Sequence, residues 1–260
     1  MKVLSILLFL VPLSLVAQKE LKTIEVSDTI LSITIDRPGD LYVITQGGHY
    51  QRLNENGELE ILYKHIPPTL FDPHDGSRLF AYYRAKQEYA YLNPSFQVSS
   101  GFRVDSAFVI QPWLICPSGD HKLWMLDVAD HRLKKINVQT AEVEVEAEIE
   151  LGVINDVKTI STMRDYQGFV FLLRPGDGIY IFSRMGKHVR TIKSPTISSF
   201  NFIGEELYYP ENGKIVLFDL FTAETREIAV PGVIKGDIII SEHRLFAASP
   251  TSVTIYEFKL

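Results

Sequence analysis

Cysteine is nearly absent. Cys116 is the only one in 260 residues, so an intrachain disulfide is excluded and a chain of this size must be held by its apolar core. Basic charge is also short: 26 Lys and Arg stand against 32 Asp and Glu, a formal net charge of −6, with no basic stripe. That excludes a surface built for the phosphate backbone, so no nucleic-acid partner is expected. Beyond residue 17 there is no run of about 20 apolar residues, and no direct membrane insertion by a helix is expected. Missing too are a Gly-x-Ser-x-Gly elbow, a phosphate-cradling glycine loop ahead of a helix, and any closely spaced pair among the seven histidines, His49, His65, His74, His121, His131, His188 and His243. No cofactor and no catalytic residue is expected from these patterns.

The first residues carry a different signal. Lys2 is followed by an apolar run from Val3 to Val16, broken only by Ser5, Pro12 and Ser14, and the run ends at Ala17 before Gln18-Lys19-Glu20. It is too short to cross a bilayer core of about 30 Å comfortably and ends on a small residue. Residues 1–17 therefore read as a signal peptide, with export to the periplasm expected and a mature propeller from residue 18 to residue 260. No cysteine follows the run, so no lipid anchor is expected.

What the sequence has in quantity is repetition. An aliphatic residue followed by an aromatic one recurs at Leu41-Tyr42, Leu79-Phe80, Leu123-Trp124, Val170-Phe171, Leu207-Tyr208 and Leu245-Phe246, at spacings of 38, 44, 47, 37 and 38 residues. A period of about 40 residues built of short strands indicates radial β repetition, one four-stranded sheet per repeat. Aligning on the pairs brings other features into register. Gly39, Gly76, Gly119, Gly168 and Gly204 precede five of them, where a tight turn needs positive φ. Short apolar runs lie upstream as inner strands, and Leu53, Leu92, Ile136, Phe182, Phe218 and Tyr256 mark third strands downstream.

The last repeat ends just after its third strand, while Leu21 to Val26 precedes the first repeat without one of its own. The expected fold is all-β, a six-bladed β-propeller closed by an N-terminal strand that completes the last blade. Such closure removes two open sheet edges.

The third repeat, from Gly119 through Leu123-Trp124, Asp127 and Asp130-His131-Arg132-Leu133 to Ile136-Asn137, resembles an NHL-type repeat. The whole layout, an apolar leader followed by six degenerate NHL-like blades, resembles the periplasmic propellers of Bacteroidetes-type bacteria. In size and plan it is similar to the plug subunit of the type 9 secretion translocon. That resemblance implies a protein partner, an outer-membrane secretion channel whose periplasmic end the disc seals or gates.

Candidate surfaces follow from asymmetry. Glu142, Glu144, Glu146, Glu148 and Glu150 alternate with apolar residues, as a strand of period two with carboxylates along one side. Two readings stay open for it: an outer edge kept from aggregating by charge, or a negative stripe for a basic partner. Repeats two and three are longer, around Gln97–Pro112 and Glu142–Lys158, and Phe96, Phe102, Trp113 and Val153 there are candidate docking residues. The alternative function is a channel-mouth ligand binder or a metal-dependent, lactonase-like hydrolase, for which Asn155, Asp156, Asn201 and Asp237 are the candidate donors. Cys116, within Trp113-Leu114-Ile115-Cys116, reads as a buried small hydrophobe.

Overall fold

The computed structural model describes residues 19–73, 76–230 and 236–259. The expected signal peptide, residues 1–17, and His74 lie outside the described residues. The chain forms an all-β six-bladed propeller of antiparallel four-stranded sheets.

Strand β1 (Glu20–Glu25) stands apart in sequence. Blade one is β2 (Ile30–Ile35), β3 (Leu41–Thr45), β4 (His49–Leu53) and β5 (Leu59–Lys64); blade two is β6 (Leu70–Asp72), β7 (Leu79–Tyr83), β8 (Glu88–Leu92) and β9 (Val98–Arg103). Blade three is β10 (Pro112–Pro117), β11 (Leu123–Asp127), β12 (Arg132–Asn137) and β13 (Glu142–Glu148); blade four is β14 (Thr162–Tyr166), β15 (Phe169–Arg174), β16 (Gly178–Ser183) and β17 (His188–Lys193). Blade five is β18 (Asn201–Ile203), β19 (Glu206–Glu211), β20 (Lys214–Asp219) and β21 (Thr225–Ala229). Blade six is β22 (Ile238–Ile240), β23 (Arg244–Ala248) and β24 (Ser252–Glu257), with β1 as its fourth strand. The first strands of neighbouring blades approach one another, which puts them at the centre, and the fourth strands form the exposed rim.

The recurring pair has a physical explanation. Successive residues of a strand point to opposite faces of the sheet, so the two members serve two different blade interfaces. Leu41, Leu79, Leu123, Val170, Leu207 and Leu245 pack toward the preceding blade, while Tyr42, Phe80, Trp124, Phe171, Tyr208 and Phe246 pack toward the following one. Each of the six interfaces has its own apolar cluster. All six aliphatic members also sit directly opposite the third-strand residues expected from sequence, from Leu41 against Leu53 to Leu245 against Tyr256. Several aromatics add a polar tie: Trp124 Nε1 donates to Asp165 of blade four at 2.8 Å, and the Tyr208 hydroxyl accepts from the Ile240 amide of blade six at 2.7 Å.

The closure matches the expectation: β1 pairs antiparallel with β24, Thr23 opposite Thr254 and Ile24 opposite Val253. Two local expectations are corrected. Positive φ at the third inner turn falls on His121 (φ 64°) and not on Gly119, whereas Gly39 and Gly168 carry it as expected. Phe96 does not decorate a crossover; it closes the β8–β9 hairpin and is buried against Tyr42, Tyr50 and Phe71.

Candidate functional site

The connections between blades and the hairpins joining second to third strands share one face of the disc. Among the described residues, three consecutive crossovers on that face present exposed aliphatics. The crossover from blade one to two presents Ile66 (43% exposed), that from two to three presents Ile110 (63%), and that from three to four presents Leu151 (66%). By contrast, the crossover from blade four to five buries Ile197 and Phe200 and exposes Pro195, Thr196 and Ser198; the one from six to one buries Val26, with Leu31 exposed just beyond it on β2. Most of the crossover from blade five to six lies outside the described residues.

These apices are held from below. The Tyr50 hydroxyl donates to the Ile66 carbonyl at 2.7 Å, and the His65 amide donates to the Gly48 carbonyl at 2.9 Å. Leu151 caps a crossover whose Ile149, Ile154, Val157 and Ile160 are buried, with Asp156 accepting from the Lys158 amide to start a single 3₁₀ turn, Val157–Thr159. Trp113 ties this crossover to the centre: its Nε1 donates to the Ile160 carbonyl at 2.9 Å while the Arg84 guanidinium lies 3.7 Å from its ring centroid.

The support under Ile110 is ionic. Asp127, with no side-chain exposure, accepts from the amides of Ile110 (2.8 Å), Gln111 (3.0 Å) and Ala129 (3.1 Å). Lys134, 5% exposed, meets Asp127 at 3.0 Å and Asp130 at 2.7 Å and donates to the Phe108 carbonyl at 3.2 Å. Burial works against the Asp127 charge, but the Gln111 and Ile110 amides with Lys134 outweigh it and hold the carboxyl below its usual range. Burial likewise opposes the Lys134 charge, yet Asp130 and Asp127 keep its pKa above the usual value. The pair fixes the crossover to the blade-three hairpin.

The residues singled out from sequence distribute unevenly. Glu142, Glu144, Glu146 and Glu148 lie on rim strand β13, and Glu150 starts the next crossover, where its carbonyl accepts from Val153 and Ile154. They do not form one carboxylate side. A β-bulge opposite Lys135 and Ile136 breaks the alternation, Glu144 is taken by Lys122 at 2.5 Å, and Glu146 is taken by Arg132 at 2.9 Å. The apolar side of the strand, Val145 and Ala147, packs on the Gly186 turn of blade four. Phe102 is on rim strand β9, stacked on Tyr89 at 5.2 Å, away from Trp113 on inner strand β10; Trp113 and Val153 both flank the cluster between blades three and four.

Of the four candidate donors Asn155 is exposed, and the other three sit in separate local surroundings. Asn201 accepts from Arg164 at 3.0 Å, Asp156 starts the 3₁₀ turn, and burial raises the Asp237 carboxyl above its ordinary range. Among the described residues no group of three or more His, Cys, Asp and Glu side chains is placed to hold a metal ion. Cys116 is buried, and burial first, then the neighbouring carboxylates, push its thiol well above the ordinary value. Among the described residues, a hollow of 690 Å³ lies between the rims of blades three and four, lined by Glu146, Glu148, Met185 and His188, and another of 210 Å³ lies at the blade-five hairpin, lined by Thr196, Ser198, Glu211 and Lys214. Sequence reasoning did not single out Ile66 or Ile110; an aliphatic beside Pro67-Pro68 or ahead of Gln111-Pro112 was the available signal.

No protein-family model matches the chain, and no match to a curated protein is significant. Solved structures share the fold. Virginiamycin B lyase from Staphylococcus aureus superposes with a TM-score of 0.57 at 10% identity, over 91% of this chain and 98% of that one. The WD40 domain of Neurospora crassa Pan2 gives 0.57 at 9% identity, over 92% and 95%. The extracellular domain of a protein described as a hybrid two-component system from B. thetaiotaomicron gives 0.54 at 12% identity, over 87% of this chain and 33% of that one. At these identities the likeness is one of fold alone, a propeller architecture.

Proposed function

We propose that the chain is an exported, non-enzymatic propeller that binds a protein through the crossover face of blades one to four. The partner in this reading is an outer-membrane secretion channel whose periplasmic mouth the disc covers. The observation that carries the proposal is the run of three consecutive crossovers, each presenting a large exposed aliphatic residue held on a hydrogen-bonded support. Three aliphatic side chains on adjacent crossovers offer a partner separate apolar anchor points on one sector of the disc. A stable interface needs about 800 Å² from each partner. The resemblance of the layout to channel-plugging periplasmic propellers, and the leader-like residues 1–17, favour the envelope as the place and a channel as the partner.

The action this implies is steric. A rigid disc seated by aliphatic apices blocks a pore and leaves when a competing chain takes the same surface. The test is recovery of tagged protein from gently solubilised envelopes, wild type against the triple variant Ile66→Ser, Ile110→Ser, Leu151→Ser. Stoichiometric recovery of a large outer-membrane channel by wild type and its loss from the folded triple variant is the expected result. A channel bound equally by both proteins, or wild type purified alone, overturns the reading.

A further inference from the structure

The six rim strands are not alike. Five carry two or more charged residues along their length: Glu20, Lys22 and Glu25 on β1, Glu60 and Lys64 on β5, four glutamates on β13, Arg190 and Lys193 on β17, and Arg226 and Glu227 on β21. Charges on an open edge oppose the addition of a further strand. The exception is β9, Val98-Ser99-Ser100-Gly101-Phe102-Arg103, whose one charge is its last residue. Five of its six residues are exposed, and the edge includes Val98 at 55% and Phe102 at 46%.

Two further features distinguish it. Gly101 has no need of glycine on its own account: its φ is not positive, and an added Cβ would meet nothing nearer than Val98 Cγ1 at 4.0 Å. β9 carries a β-bulge at Ser99, between the pairings of Val98 and Ser100, and Gly101 close to it leaves room for another backbone to approach the edge. Phe102 is backed by a row of rings, Tyr89 at 5.2 Å and behind it Phe80 at 5.9 Å, so it offers a firm apolar contact beside the edge. The strand also runs directly into the crossover that carries Ile110, because the Val104 amide, the next residue, donates to the Gln87 carbonyl at the crossover face.

We infer that the β9 edge receives an extended, uncharged segment of the same partner that covers the crossover face, added as a fifth strand of blade two. This inference rests on the function proposed above for the identity of the partner. Main-chain hydrogen bonds to the outward N–H and C=O groups of β9 supply the attachment, and an apolar side chain beside Phe102 sets the register. The neutrality of the edge from Val98 to Phe102 is what selects the segment: a charged strand finds no counter-ion along those five residues, and an uncharged one buries no unpaired charge.

The experiment is in-cell photocrosslinking of the full chain with p-benzoylphenylalanine in place of Ser100, of Ile110, or of Thr225 on the β21 edge as a control. The expected result is one protein crosslinked from Ser100 and Ile110 and none from Thr225, with the Ser100 crosslink mapping to an uncharged stretch of that protein. Gly101→Lys beside the Ser100 probe then lowers the Ser100 yield about tenfold, a change of about 1.4 kcal/mol, with an unchanged melting temperature. Crosslinking from Ile110 but not Ser100, or a Ser100 crosslink to a second copy of this chain or to a charged stretch, overturns the inference and leaves the crossover reading standing. A Ser100 crosslink to an uncharged segment with none from Ile110 supports the strand addition and removes the crossover reading. No crosslink from either position overturns both.

Discussion

Replacing Lys134 by Met keeps the apolar stem of the side chain and removes its charge, leaving Asp127 fully buried beneath the Ile110 crossover without its cation. Breaking a buried pair from one side costs about 3–5 kcal/mol. The Ile110, Gln111 and Ala129 amides remain on the carboxylate, so the cost falls at the lower end, about 3 kcal/mol. For a domain of this size that is a fall in melting temperature of about 6–12 °C. Asp127→Ala also releases two crossover amides and should cost about 4 kcal/mol, and the double variant should be about 2 kcal/mol less destabilised than the sum. Urea unfolding of the four proteins measures all three quantities. The sign with pH is fixed by the shifts. Asp127 is held low, so its contribution is present above about pH 4 and lost as pH falls through its depressed native value; Lys134 is held high, so its contribution is present below about pH 10 and lost as pH rises through its raised value. The difference between wild type and Lys134→Met should be flat from about pH 5 to 9 and shrink outside it. A cost below about 1 kcal/mol at pH 7, or additive single variants, would refute the claim that this pair anchors the crossover.

Three other outcomes are expected. Deleting residues 19–27 strips β1 from β24 and removes the burial of Ile24 and Val26, lowering stability by at least about 3 kcal/mol; a truncated chain with the wild-type melting temperature would disprove the closure. Asp165 is held above the ordinary carboxyl range first of all by burial, although Trp124 donates to it, so ionising it at neutral pH is unfavourable to folding. Asp165→Asn, which keeps an acceptor for Trp124, should melt at or above wild type at pH 7, with the advantage fading as pH falls through the raised native value; a lower melting temperature at pH 7 would count against this. Cys116 should not react with Ellman's reagent until the protein unfolds, and reaction in the folded state would contradict its burial.

The architecture was legible because the aliphatic-aromatic pair and the third-strand residue opposite it repeat in every blade, and the pair near the start of each second strand is needed by two interfaces at once. The sixth blade was legible by subtraction, from a third strand with no fourth and a leading strand with no blade. The site was less so. Whether Ile66 faces solvent or core depends on the hydrogen bond from Tyr50 that turns the crossover outward, and nothing in the spacing of residues 64–68 shows it. The glutamate run looked one-sided because strict alternation was assumed; the bulge beside Ile136 reverses the order, and the basic residues on β12 and Lys122 that neutralise it come from separate stretches of sequence. Lys134 gave no signal at all, since a lysine on a third strand ordinarily reaches water, and only the fold brings Asp127, Asp130 and the Phe108 carbonyl around it.

The closing strand sets the order of events when the chain is made. Thr23 and Thr254, whose hydroxyls meet at 3.0 Å across the seam, are 231 residues apart. A ribosome adding about 5–20 residues per second brings the second out about 12–46 s after the first. Through that interval β1 is a bare strand with its partner still unmade, and the five earlier blades have no ring to complete. Among the described strand pairings β1 with β24 spans the greatest length of chain, so the seam is the pairing for which a stray strand has the longest opportunity to intrude.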